Sequence, residues 1–389
     1  MAVTAPSTTA NWREPGRIRQ SFAAIETLFP TATIARGAPT AGPLVRARAD
    51  LEGLRVSNEH GTVADVLATT ETDAWLVVHS GRLLAEGYTA PMDAATRHLL
   101  MSVSKSMVGV IVGALTQRGV LDPTRPVAAY VPELAESGYA GATLRDVLDM
   151  RTGVHFSEDY LDADAEVSLL DEAVGWTPPR PSSPATLKKF LQGLSSARPH
   201  GGYFQYRSCE TDVLGWVIEA ATGQPFAEVA TDLLWGRLGT EVDAMITVDA
   251  EGTGMFDGGV CATLRDVARF GQMLLQRGES FTGESIVSPE WVEDLFVGNS
   301  DLTAAFAAGP HAHLLPGGHY RNQFWVPAGG EVILSVGIHG QLVYVDRSTG
   351  MVGVKLSSWP MPTDDDRMDR TLAMFTSIAQ HLLATRPTT

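Results

Sequence analysis

Apolar residues along this chain fall into three regimes. Trp75 to Tyr88 is mostly apolar on either side of His79-Ser80-Gly81, which predicts strand, tight turn, strand. After Ser102, the residues Met107, Val108, Val110, Ile111, Val112 and Leu115 predict a buried helix. A mainly helical stretch then runs to about residue 300. Within it Thr143 is a helix-capping threonine ahead of Leu144. Thr211 to Ala221 and Thr263 to Arg277 carry apolar positions at helical spacing that end near Gly223 and Gly278. Strand-like runs return at Gly330 to Gly337, Gln341 to Asp346 and Met351 to Ser357, an antiparallel meander, and Asp369 to Leu383 reads as a final amphipathic helix.

Strands from both chain ends with a helical block between them predict an α+β protein. One antiparallel sheet is built from N- and C-terminal segments, flanked by helices, and the helical block is an insertion. The expected division is an arm over 1–43, a sheet domain over 44–105 and 320–389, and a mainly helical domain over 106–319. The active site is expected in the cleft between the two domains. The arm is rich in Ala, Thr, Pro and Gly and is expected to be extended or to wrap the body.

The 389 residues suffice for a large core. Net charge is −16, from 29 basic and 45 acidic residues, which argues against nucleic acid or an anionic membrane as partner. It suits a small-molecule substrate with a positive end. No basic-then-apolar leader and no bilayer-length apolar run stands out, and two cysteines, Cys209 and Cys261, make no disulfide framework. A cytoplasmic location is the expectation from these features.

The candidate chemistry lies at Ser102-Val103-Ser104-Lys105. Residues three apart share a helix face, so hydroxyl and amine can meet. A serine at a helix start has backbone N–H groups and the positive dipole end nearby, where an oxyanion is favoured. A desolvated neutral lysine beside it could take its proton. Of the four lysines, only Lys105 has a serine three positions earlier. On local sequence alone, Lys105 is equally well read as the solvated start of a helix.

Further segments carry a resemblance. Thr143-Leu144-Arg145-Asp146-Val147-Leu148, running on to Thr152-Gly153, Tyr206-Arg207-Ser208, Asp212 to Glu219, and Gly258-Gly259 through Arg269-Phe270-Gly271 follow in order. With Ser102 and Lys105 they resemble the serine hydrolases that include class C β-lactamases, D-alanyl-D-alanine carboxypeptidases and related esterases. Within that family Leu99 to Ser106, Glu158-Asp159-Tyr160, Phe204-Gln205-Tyr206, Gly337 to Gln341 and Leu356 to Pro360 resemble the 6-aminohexanoate-dimer hydrolases. Two departures from the wider pattern stand out: Ser208 replaces an asparagine, and Ser335-Val336-Gly337 lacks the cation of a Lys-Thr-Gly strand. The dimer hydrolases share both departures, which count against β-lactam and peptidoglycan substrates.

The resemblance implies a β-lactamase-like fold and an acyl-enzyme mechanism that cleaves linear amides and small esters without metal or cofactor. Ser102 is then the nucleophile, Lys105 the base with a lowered pKa, and Tyr206 the proton shuttle. The backbone N–H groups of Ser102 and Ile338 form the oxyanion hole, and a register slip would pass the second role to His339 or Gly340. Tyr160 is expected to meet the substrate amide N–H. Glu158, Asp171 and Asp257 are candidates to attract a substrate ammonium, Trp176 and Trp325 to wall a methylene chain, and Ser208 and His339 to touch substrate. The His311-Ala312-His313 and His319 group lacks a completing ligand for a metal site. Carboxylesterase action with little amide activity, β-lactamase- or D-aminopeptidase-like action and a non-catalytic binding role are the alternatives. A homodimer is implied by the resemblance only.

Overall fold

The computed structural model describes residues 7–38, 42 and 44–385. Its strands are β1 (Thr31–Ile34), β2 (Val45–Arg46), β3 (Thr72–His79), β4 (Arg82–Tyr88), β5 (His98–Leu99), β6 (Ala244–Thr247), β7 (Val260–Ala262), β8 (His319–Arg321), β9 (Phe324–Val326), β10 (Val332–Gly337), β11 (Gln341–Asp346) and β12 (Met351–Ser357). Eight of them form one sheet in the order β2-β4-β3-β12-β11-β10-β9-β8. N- and C-terminal segments meet where β3 pairs antiparallel with β12, Leu76 opposite Val354. The pairings are antiparallel except for β2 with β4.

The expected turn lies between β3 and β4. Ser80 and Gly81 both have positive φ, 50° and 74°, as a two-residue turn matching strand twist requires. Strand β3 is buried on both faces because helices cover both sides of the sheet. Leu76 and Val78 join the main core, whereas Trp75 and Val77 face a second core with Met374, Phe375 and Ile378 of the Asp365–Ala384 helix. That helix starts earlier than the apolar pattern suggested, because the Asp364 side chain caps it.

The Leu264–Leu275 helix, placed with the insertion from the sequence, lies on the sheet instead. A Cβ on its Gly271 would come within 2.7 Å of Val352 on β12. The expected Thr143 cap is present, as a reciprocal capping box with Asp146, and Gly223 ends the Ser208–Thr222 helix in the left-handed region; Thr263 also caps its helix, accepting from Asp266.

A second sheet, β1-β6-β7-β5, has no counterpart in the sequence expectations. It draws on the arm, since β1 pairs with β6, and the arm is therefore more than extended chain: Trp12, Ile18, Phe22 and Ile25 are buried in the main core. It also positions the chemistry. β5 pairs with β7, Leu99 opposite Cys261, and the Leu100 N–H bonds Val260 O at 2.9 Å. The segment entering the Ser102 helix is thereby fastened beside the one that carries Asp257.

Candidate active site

Ser102 stands at the N-cap of the Val103–Gln117 helix, yet its side chain makes no capping hydrogen bond. The preceding residue, Met101, is buried with φ 48°, a backbone conformation unfavourable for a side-chain-bearing residue. The Ser102 hydroxyl instead accepts from Lys105 Nζ at 2.9 Å. Lys105 is 1% exposed and also donates to Ser208 Oγ at 3.1 Å, Asp257 O at 2.8 Å and Asp257 Oδ2 at 3.2 Å.

This neighbourhood corrects one expectation. Burial alone would push the lysine pKa down, but Asp257, then Tyr206, Glu158 and Asp212, push it up, and the net direction is upward. Lys105 therefore rests as an ammonium rather than as a neutral amine. Asp257 pairs with Lys105 through Oδ2, and its buried Oδ1 has no hydrogen-bond partner among the described residues. Its backbone N–H donates to Asp212 Oδ1 at 3.1 Å. Burial, then the charge of Asp257, raises the Asp212 pKa well above the usual carboxylate range. No role for Asp212 was legible in the sequence.

Tyr206 is buried, and its ring centroid lies 5.3 Å from Lys105 Nζ. Burial raises its pKa, while Lys105 and a hydrogen bond to Ser102 lower it; the net direction is upward, so the phenol is neutral at rest. Trp325 stacks on the Tyr206 ring, centroids 5.3 Å apart and planes 25° apart. Trp325 thus fixes the tyrosine and does not wall the cavity.

A narrow cavity of about 20 Å³ opens beside Ser102. Tyr160, Asp171, Trp176, Ser208, Asp257 and Ile338 line it, together with Met101, Val167, Leu170, Met255, Gly258 and Arg13. Glu158 does not. Its carboxylate accepts from Tyr160 OH at 2.5 Å, Ser208 Oγ at 2.5 Å and Ser208 N at 2.9 Å. It organises two lining residues rather than meeting a substrate ammonium. Because Tyr160 spends its proton on Glu158, its oxygen lone pairs remain as an acceptor on the cavity side.

His339 is also off the cavity. Past the end of β10 at Gly337 the chain turns, with His339 at φ 60°, so Ile338 reaches the cavity and His339 turns inward. Its Nδ1 contacts Trp359 O at 2.8 Å, its ring meets Phe22 edge-on, and burial pushes its pKa down to about 4. The turn is pinned by the Gln341 amide, which donates to Ile338 O, His339 O and Ser357 O. Asp171 is present at the cavity but ion-paired with Arg13 at 2.7 Å. Arg13, deep in the arm, carried no periodic or motif signal. Among the described residues no group of three or more His, Cys, Asp or Glu could hold a metal, and no helix is long and apolar enough to cross a membrane.

A fold with a sheet from both chain ends and a buried serine–lysine–tyrosine cluster beside it defines a class. The beta-lactamase family model matches residues 62–377, and the chain belongs to that family, as a serine hydrolase. Its similarity to one branch runs nearly end to end. The chain is 40% identical over 366 residues to the 6-aminohexanoate-dimer hydrolase of Paenarthrobacter ureafaciens, covering 93% of this chain and 90% of that one. A solved Bacillus anthracis structure that carries the 6-aminohexanoate-dimer hydrolase name superposes with a TM-score of 0.90 at 26% identity, covering 98% and 100% of the two chains. A family VIII carboxylesterase shares the fold at a TM-score of 0.60 and 15% identity, over 81% of this chain and 96% of that one.

Proposed function

We propose that this protein hydrolyses linear amides of the 6-aminohexanoate-dimer type, and small esters, through an acyl-enzyme on Ser102. The observation that carries the reading is the Ser102 hydroxyl, withheld from its helix cap and held 2.9 Å from a buried lysine. Similarity to the Paenarthrobacter enzyme supports the substrate class.

Substrate entering the cavity excludes water, and in a drier site a neutral pair is favoured over an ion pair. One proton then passes from the Lys105 ammonium to the Asp257 carboxylate. The resulting amine takes the Ser102 proton as Oγ attacks the carbonyl, and the backbone N–H groups of Ser102 and Ile338 receive the oxyanion. Tyr206 gives its proton to the leaving nitrogen and regains one from Lys105. Water, activated by the same groups, releases the acid. Tyr160, already donating to Glu158, accepts the scissile amide N–H, a contact that esters cannot make.

The experiment is a panel of a nitrophenyl ester, the 6-aminohexanoate dimer and a cephalosporin, run on wild type and Ser102→Ala. Turnover of ester and dimer that Ser102→Ala abolishes is the expected result. Ester turnover alone leaves a carboxylesterase, preferred cephalosporin turnover moves the protein to the lactamases, and no turnover of any kind leaves a binding protein.

A further inference from the structure

The arm brings to the cavity a charge that no motif announced. Arg13 Nη2 lies 2.7 Å from Asp171 Oδ2 and 3.2 Å from Thr177 Oγ1. Its neighbour Trp12 is buried, donates its indole N–H to Trp176 O at 3.0 Å and meets the Trp176 ring edge-on at 5.2 Å. The guanidinium lies 4.9 Å from the Trp12 ring centroid, so the side chain is held in place before substrate arrives. Its Nε and Nη1 have no protein partner among the described residues, and the side chain is 28% exposed.

The cavity takes the acyl side of a substrate. Tyr206, which serves the leaving group, does not line it, whereas Ser102 and Ile338 do. An acyl chain bonded to Ser102 would run past Trp176 toward Asp171 and Arg13. A lone Asp171 there would favour a terminal ammonium. With Arg13 attached, that carboxylate is already matched, and two further guanidinium nitrogens can meet an anion.

We infer that Arg13 is a specificity-determining residue that makes this end of the acyl site a receptor for chains ending in a carboxylate, or in no charge, rather than in an ammonium. The inference rests on the hydrolase reading above and sharpens its substrate class to ω-carboxyacyl and plain alkanoyl amides and esters. The 6-aminohexanoate dimer is then cleaved less readily than its counterparts with an uncharged or anionic acyl end.

Three p-nitrophenyl esters test it at pH 7: hexanoate, 6-aminohexanoate and the adipate monoester, which differ only in the charge at the chain end. Wild type is expected to rank them adipate, hexanoate, aminohexanoate in kcat/KM. Arg13→Gln should raise the aminohexanoate-to-adipate ratio by about tenfold or more, the scale of one lost charge contact. Arg13→Lys, which keeps the charge, should retain the wild-type ranking, and Asp171→Asn should favour adipate further. A wild type that prefers aminohexanoate, or an Arg13→Gln ratio equal to that of wild type, overturns the inference while ester hydrolysis itself stands. A wild type that releases no nitrophenolate from any ester overturns the hydrolase reading and this inference with it.

Discussion

Two lysines of this protein are fully buried, and their surroundings drive them in opposite directions. Lys355, on β12, is 0% exposed and donates to Thr70 O at 3.0 Å and Ser357 Oγ at 2.5 Å, with the Trp359 ring 5.5 Å away. Burial pushes its pKa down to about 7, against a weaker upward pull from Asp73. Lys105 is 1% exposed, but Asp257 and its acidic neighbours overcome burial and keep it charged. The lysine whose environment makes a neutral amine stands away from the serine. The lysine beside the serine is stored as an ammonium next to the carboxylate that can discharge it. Burial by itself does not make a base; the acceptor beside the amine does.

The comparison breaks most sharply at Lys105. Lys105→Met should lower ester kcat/KM by on the order of a thousandfold or more, since Ser102 loses its proton acceptor; steady-state assay on the folded variant checks it. Residual activity within tenfold of wild type would remove Lys105 from the chemistry.

Asp257→Asn is the next largest effect. An ammonium with no carboxylate to receive its proton must lose it to solvent. We expect kcat to fall by about a hundredfold and the remainder to climb with pH, because deprotonated Lys105 becomes the active form. A kcat–pH profile parallel to that of wild type would contradict the proton hand-over.

Tyr160→Phe sharpens the picture on the substrate side. Dimer-amide turnover should drop about tenfold relative to ester turnover, the scale of one hydrogen bond in the transition state. Equal losses on amide and ester would take Tyr160 out of amide selection.

Lys355→Met has the smallest catalytic effect: ester activity should stay within about twofold of wild type. Its signature is in stability. The Lys355 pKa lies below its ordinary 10.5 in the folded protein, so the unfolded chain binds more protons between about 7 and 10.5. This group therefore makes folding stability rise with pH across that window, by on the order of a few kcal/mol. Denaturant titrations at pH 7 and pH 10 should show the rise in wild type and its loss in Lys355→Met.

What was legible in the sequence had short-range causes. The β3–β4 turn needed only two residues with positive φ, and the cap at Thr143 needed only a hydroxyl three residues from an acid. The proximity of Ser102 and Lys105 followed from helix spacing. The second sheet was not legible: β5, β6 and β7 have 2, 4 and 3 residues, too few for periodicity to register. That sheet aligns Asp257 with Lys105, so the charge state of the lysine was hidden with it. Arg13 was hidden for the same reason, since only the packing of Trp12 on Trp176 brings the arm to the cavity. Glu158, Trp325 and His339 carried the right chemistry one step out of place, each holding or adjoining a residue of the site.

The central claim, that the Lys105 environment makes the Ser102 hydroxyl a nucleophile, is tested most directly by covalent capture. Intact-mass and peptide-mapping spectrometry after exposure to a fluorophosphonate should find one adduct, on Ser102, in wild type. It should find none in Ser102→Ala and a strongly slowed adduct in Lys105→Met. A folded wild type that stays unlabelled, or an adduct that persists in Ser102→Ala, would contradict the account.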